Sequence, residues 1–248
     1  MARLTGIDKS SVSRLLGQLQ AMGFVVTEGR RDGFATGPGL FRLGATLTAR
    51  DSLNRAARPI LESLAARFDE TCYLAVRDGN QFMFRMKVET TRPIRFVVDL
   101  GFLAPLHAGA AGRAILMGMP DEERQTVIAG MTLLPLTEST ITDPARLLAA
   151  AEADQARRYS ISYGERARGA TAVAAPFFDG SGICLGSVVV VRPDERTYDP
   201  EPTVIGAAVA EAARELSVRL GWVPGIPEQP PPPGGNGRRP GRDGADLG

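Results

Sequence analysis

The sequence predicts an α+β protein in two parts: a small helix-turn-helix segment closed by a β-hairpin, then a larger domain in which helices bracket an antiparallel sheet. Three observations carry this. Apolar residues recur at helical spacing over residues 12–22, next to a tight glycine turn. From residue 72 onward, short alternating stretches are separated by Asp/Gly-centred turns, the mark of hairpins more than of parallel strands. A chain of 248 residues with 44% apolar and 23% charged residues also has the material for a buried core.

In order, Met1–Gly6 reads as the tail of one helix, ended by a glycine able to adopt a left-handed cap. Asp8 is a good N-cap for the next helix, on which Val12, Leu15, Leu16, Leu19 and Met22 define one buried face. Gly23 closes it. Phe24–Thr27 and Phe34–Thr36 form two short strands, with Gly29-Arg-Arg-Asp-Gly33 as the hairpin tip, a wing with two arginines. Gly37-Pro-Gly39 is a break, and Leu40, Leu43 and Leu47 then mark a connecting helix towards Asp51. Pro59 opens a further helix to about Phe68, since proline suits a first turn.

In the larger domain, Cys72–Arg77 and Gln81–Val88 alternate about Asp78-Gly-Asn80, and Ile94–Leu100 reads as a third strand. His107–Met117 reads as a helix rich in small residues, and Asp121 and Asp143-Pro144 start two more. Tyr159–Tyr163, Ala172–Phe178 and Cys184–Arg192 are strands, the last two turned by Asp179-Gly-Ser-Gly182. Glu201–Leu220 is a long amphipathic helix. The expected boundaries are a winged helix-turn-helix at 1–38, a linker helix at 39–56, a ligand-sensing domain at 57–224 and a disordered tail at 225–248, where proline, glycine and charge leave almost nothing apolar to bury.

Charge is unevenly spread. Residues 1–58 carry nine Arg or Lys against four Asp or Glu, whereas the remainder is mildly acidic, so a net charge of +1 conceals a basic end. On the helix after Asp8, the apolar stripe leaves Lys9, Ser10, Ser11, Ser13 and Arg14 outside it, near the helix start. Small hydroxyls and an arginine there suit base edges and phosphates in the major groove of double-stranded DNA. Arg30 and Arg31 at the wing tip would reach the flanking backbone or minor groove. A plain amphipathic helix with a solvated face accounts for the helix alone; helix, strand, arginine-tipped turn and strand in succession is the more specific pattern.

Other function classes find little support. Cys72 and Cys184 form no CxxC and no disulfide framework. No stretch is long and apolar enough to span a membrane and no signal-peptide pattern follows Met1, so a cytoplasmic location is expected. No phosphate loop and no G-x-S-x-G is present, no cofactor is expected, and His107, the sole histidine, has no ligand or catalytic partner at suitable spacing; it reads as a helix-start packing residue. The chain does not read as an enzyme.

Several blocks resemble the IclR family of bacterial transcriptional regulators. Leu4-Thr-Gly-Ile-Asp-Lys-Ser-Ser-Val-Ser-Arg-Leu-Leu16 is similar to its helix-turn-helix, and Phe34-Ala-Thr-Gly-Pro-Gly-Leu-Phe-Arg-Leu-Gly44 to the segment leaving its wing. Pro105-Leu-His-Ala-Gly-Ala-Ala-Gly-Arg-Ala114, Arg158-Tyr-Ser-Ile-Ser-Tyr-Gly-Glu165 and Ala174-Ala-Pro-Phe-Phe-Asp179 resemble three blocks of its effector domain. The resemblance implies a winged-helix domain, a linker helix and a GAF-like effector domain in a homodimer or dimer of dimers, with operator DNA and a small-molecule effector as partners, acting as repressor or activator. It also implies a first helix ahead of Met1, without which the recognition helix would expose its apolar face. A sensor or dimerisation module lacking effective DNA binding is therefore the alternative expectation.

The resemblance places effector contacts at Ala110 and Ala111, and in the later strands at Ser162, Ala170, Ala172, Val189 and Val191. A helix start with small residues suits an anion, because exposed N–H groups can approach it. The resemblance implies hydroxyl side chains at the last two of these positions where the effector is a small polar acid, so valine at 189 and 191 sets the expectation of an organic acid with an apolar or aromatic body. Alternating valines are equally what any half-buried strand contains.

Overall fold

The computed structural model describes residue 6 and residues 8–28, 33–43, 51–196 and 200–223. The chain divides into two compact units, Met1–Arg58 and Pro59–Gly248. The Arg30-Arg31 wing tip and the tail beyond residue 223 lie outside the described residues.

In the first unit, helix α1 (Lys9–Ala21) leads to strands β1 (Val25–Glu28) and β2 (Gly33–Thr36), which pair antiparallel. Asp8 caps α1 as expected: its carboxylate accepts the backbone N–H of Ser11 at 2.9 Å. The apolar stripe of α1 is not a buried face. No residue of the helix is buried, and Leu15 and the following Met22 are about half exposed (47% and 52%). Gly37 and Gly39 are the tight points of this unit. Both are buried, and a Cβ at either would fall within 3 Å of the Gly23 carbonyl oxygen. The Gly-Pro-Gly segment is therefore a close backbone crossing, not a simple break, and the helical stretch 38–43 begins within it.

Helix α3 covers Ser52–Phe68, the 38–43 helix being α2. Pro59 does not open α3 but lies inside it. The helix is started earlier by Asp51, whose side chain accepts the N–H groups of Leu53 and Asn54. The cap offsets only part of what an internal proline costs; burial of Ala57, Ile60, Leu61 and Leu64 on the same helix supplies further stabilisation.

The second unit is built on a six-stranded antiparallel sheet of order β5-β4-β3-β8-β7-β6. Its strands are β3 (Thr71–Asp78), β4 (Gln81–Val88), β5 (Leu103–Pro105), β6 (Ser160–Tyr163), β7 (Ala170–Phe178) and β8 (Cys184–Pro193). Its further helices are α4 (Ala110–Met117), α5 (Asp121–Ala129), α6 (Pro144–Arg157) and α7 (Pro202–Arg219). Asp143 caps α6 and Pro144 occupies its first turn, as the dipeptide predicts. Ile94–Leu100 is not a strand. The outer place beside β4 is taken by β5, and the hydroxyl of Tyr73 serves the 94–100 backbone instead, donating to the Phe96 carbonyl (3.2 Å) and accepting from the Val98 N–H (2.9 Å).

Because side chains alternate along a strand, β7 and β8 each present two sets. Ala174, Val189 and Val191 join Tyr73, Phe84 and the residues of α4 in one apolar cluster. The opposite set, Val173, Ala175, Val188 and Val190, is equally buried. The sheet is thus covered on both faces, and α4 and α7 both pack against β7 and β8. A cavity is left within the first of these layers, above the strands and beside the start of α4.

Candidate functional site

The cavity has a volume of about 140 Å³. Its helical wall is Ala110 and Ala111 at the start of α4; its sheet wall is Ser162 of β6, Ala170 and Ala172 of β7, and Val189 and Val191 of β8. All seven residues expected to contact an effector therefore surround one space. Their smallness is what leaves it open: four of the seven are alanine, and Val189 and Val191 stop short of the helix while still serving as core. Phe84, Phe96, Val97 and Val98 complete the lining. The sequence did not mark this wall, since the 94–98 segment is held there by Tyr73, a distant residue.

The backbone turns into α4 at Gly109, whose φ of +87° lies in the region that favours glycine. A Cβ on Gly109 would stand 3.4 Å from Cβ of Arg166 and 3.6 Å from Oγ of Ser162. The N–H of Ala110 donates to Ser162 Oγ at 2.9 Å, so the hydroxyl proton of Ser162 remains to donate elsewhere. N–H groups in a helix's first turn lack intrahelical partners, which gives this end of the cavity a positive bias.

Below the cavity lies a buried ionic network. Arg113 of α4 donates through Nε to Asp154 of α6 at 2.9 Å, and it also donates to both carboxylate oxygens of Glu165 and to the Ile161 carbonyl. Asp154 accepts from Arg157 as well. Burial opposes the charge on Arg113, but Glu165 and Asp154 outweigh it and hold its pKa above the usual arginine value. Burial pushes the Glu165 carboxyl up, against the pull of Arg113 and of the Gly109 N–H. The Thr137 and Thr140 hydroxyls fasten the same loop by donating to the carbonyls of Gly164 (2.7 Å) and Glu165 (2.6 Å).

This anchored loop delivers Arg166 to the cavity. Its guanidinium carbon lies 5.0 Å from the ring centroid of Phe84. Burial lowers its pKa, opposed only by Tyr73, and among the described residues no carboxylate or carbonyl accepts from it. Nothing in the sequence distinguishes Arg166 from its neighbour Arg168, which is largely exposed beside Glu138.

His107 is buried outside the cavity lining, with Nε2 at 2.9 Å from the Leu134 carbonyl, a packing position at the approach to α4. Burial pushes the Cys184 thiol up to about 12 and that of Cys72 higher still, so neither is a ready thiolate. Among the described residues no group of three His, Cys, Asp or Glu side chains could hold a metal ion, and no helix is long and apolar enough to cross a membrane.

In the first unit, Lys9, Ser10, Ser13 and Arg14 are exposed on α1 and Ser11 is partly exposed. The Ser10 hydroxyl donates to Asp8 at 2.6 Å, which leaves it an acceptor towards any ligand.

The family models decide the identity. Residues 45–218 match the bacterial transcriptional regulator IclR C-terminal domain, and residues 1–29 match the IclR helix-turn-helix domain. The chain belongs to the IclR family. This IclR-family chain is 33% identical over 217 residues to the HTH-type transcriptional regulator BhcR of Paracoccus denitrificans, covering 88% of this chain and 78% of BhcR. The crystal structure of Thermotoga maritima IclR superposes with a TM-score of 0.73 at 26% identity, covering 89% of each chain. An IclR homologue from Microbacterium hydrocarbonoxydans, solved in complex with 4-hydroxybenzoate, shares the fold with a TM-score of 0.74 at 22% identity, covering 88% of each chain. The IclR-family membership makes the protein a transcriptional regulator with a helix-turn-helix and an effector-binding domain.

Proposed function

We propose that the protein is a ligand-responsive regulator in which a small organic acid with an apolar or aromatic body occupies the α4 cavity and alters binding to operator DNA. The observation that carries this reading is the convergence of Ala110, Ala111, Ser162, Ala170, Ala172, Val189 and Val191 on one small cavity at a helix start. The 4-hydroxybenzoate bound by the Microbacterium homologue is an acid of the same class. The regulated genes would serve metabolism of that acid, and the protein would act as a homodimer or dimer of dimers, so that an effector can shift the arrangement of two DNA-binding units. The shift is limited to the effector's differential affinity for the two arrangements.

On the DNA side, Lys9, Ser10, Ser11, Ser13 and Arg14 would face the major groove, and Arg30 and Arg31 the flanking backbone or minor groove. Operator affinity measured at two salt concentrations tests these roles. Arg14→Ala is expected to cost about 1–3 kcal/mol and to relax sequence preference. Arg31→Ala is expected to weaken all sequences alike and to reduce the salt dependence. Identical behaviour of the two variants contradicts the assignment, and absence of any sequence-specific binding contradicts the regulator reading for this chain. In that event a sensor or dimerisation module without effective DNA binding is the reading left, and the unburied apolar stripe of α1 is the observation that favours it.

A further inference from the structure

Among the described residues that line the cavity, Arg166 is the one charged side chain. Its acidic neighbours are already engaged. Glu165 is held by Arg113 and the Gly109 N–H, and Asp154 by Arg113 and Arg157. A partly buried cation facing a cavity, with no carboxylate partner among the described residues, carries a desolvation cost, and the Phe84 ring offsets part of that cost without neutralising the charge. We propose that Arg166 selects the effector: its guanidinium pairs with the carboxylate of a monoanionic acid whose apolar body is no larger than a single ring. This rests on the reading that the cavity holds the effector.

The geometry gives the ligand a direction. The Arg166 Cβ and the Ser162 hydroxyl lie beside the same glycine, Gly109, and the guanidinium stands over the Phe84 ring, so the polar groups offered by the lining side chains are those of Arg166 and Ser162. Phe96, Val98, Val189 and Val191 provide an apolar surface for the body of the acid. A cavity of about 140 Å³ is of the size that admits a benzene ring and is well below that of a drug-sized site. Among the described residues no second cation lines it, so a dicarboxylate would leave one charge unpaired.

Calorimetric titration of the full chain with benzoate, isovalerate and their neutral amides tests this without any variant. At least one acid is expected to bind, and at least thirtyfold more tightly than its amide. Arg166→Gln is expected to lose roughly thirtyfold or more in affinity for that acid, with little change towards the amide, and Arg166→Lys to recover part of the loss, since it keeps the charge but not the planar fork. Failure of both acids to bind, equal binding of acid and amide, or an unchanged acid affinity in Arg166→Gln overturns the proposal. Adding the operator separates this from the parent reading. If acids bind through Arg166 but leave operator affinity unchanged, the selecting role stands and the effector reading fails. If acids change operator affinity equally in wild type and Arg166→Gln, the effector reading stands and the selecting role fails.

Discussion

Arg113 shows how one residue ties the sensing site to its surroundings. It lies in α4, whose first residues wall the cavity, and its guanidinium reaches α6 through Asp154 and the Arg166 loop through Glu165. All three side chains are buried. Removing one partner of such a set strands the others, which costs far more than the net worth of the pair. Arg113→Ala is therefore expected to destabilise the protein by about 3–5 kcal/mol in chemical denaturation. A loss under 1 kcal/mol would mean that the network is not formed. Arg113 itself falls within the small-residue motif at 105–114, but its partners stand 41 and 52 positions away, beyond any local pattern. The same holds for Arg166. Its surroundings are made by Phe84 and by a loop anchored from Thr137 and Thr140, so the cavity residues on α4 and the strands were legible and its one charge was not.

At the scale of elements, strong local signals carried over well. Asp78-Gly-Asn80 turns β3 into β4 with Gly79 at a φ of +59°, and Asp143-Pro144 starts α6 at the expected residue. The failures have physical causes. Ile94, Phe96, Val98 and Leu100 alternate as a strand would, yet Tyr73 takes the Phe96 carbonyl and the Val98 N–H, and the cavity takes the consecutive residues Phe96, Val97 and Val98. Pro59 has the local signature of a helix start, yet Asp51 caps the helix two turns earlier and a buried apolar face carries it through the proline. Helix α1 offers a pH test. The Ser10 hydroxyl and then the Ser11 donors hold the Asp8 carboxyl well below its usual range. A carboxylate lowered on folding stabilises at pH above its unfolded value, and that contribution is lost as pH falls through the folded one. The helicity of α1 is thus expected to decline as pH drops below the ordinary aspartate range. Substituting Asp8→Asn should flatten that dependence in hydrogen exchange of the α1 amides in the full chain; an unchanged slope would show that Asp8 does not hold the cap.

At the scale of the whole molecule, the two units differ in how they are held. The Pro59–Gly248 unit has a sheet covered on both faces and a continuous apolar cluster. Within residues 8–43 of the first unit, Gly37 and Gly39 are the buried positions among those described, and Phe34, Leu40, Phe41 and Leu43 are exposed. In the sequence, the charge asymmetry and the order of blocks already set a basic first part apart from a larger second one. The cavity's closure was not legible there, because it depends on a wall brought from residues 96–98 onto strands far along the chain. The central claim is that an acid in this cavity governs DNA binding. Fluorescence anisotropy of labelled upstream DNA, titrated with wild type and with Ala172→Leu in the presence and absence of benzoate, tests it most directly. The account predicts that benzoate changes the operator affinity of the wild type several-fold or more, and that filling the cavity with the larger side chain abolishes the change while leaving DNA binding intact. An equal response in both proteins, or none in the wild type, would contradict it.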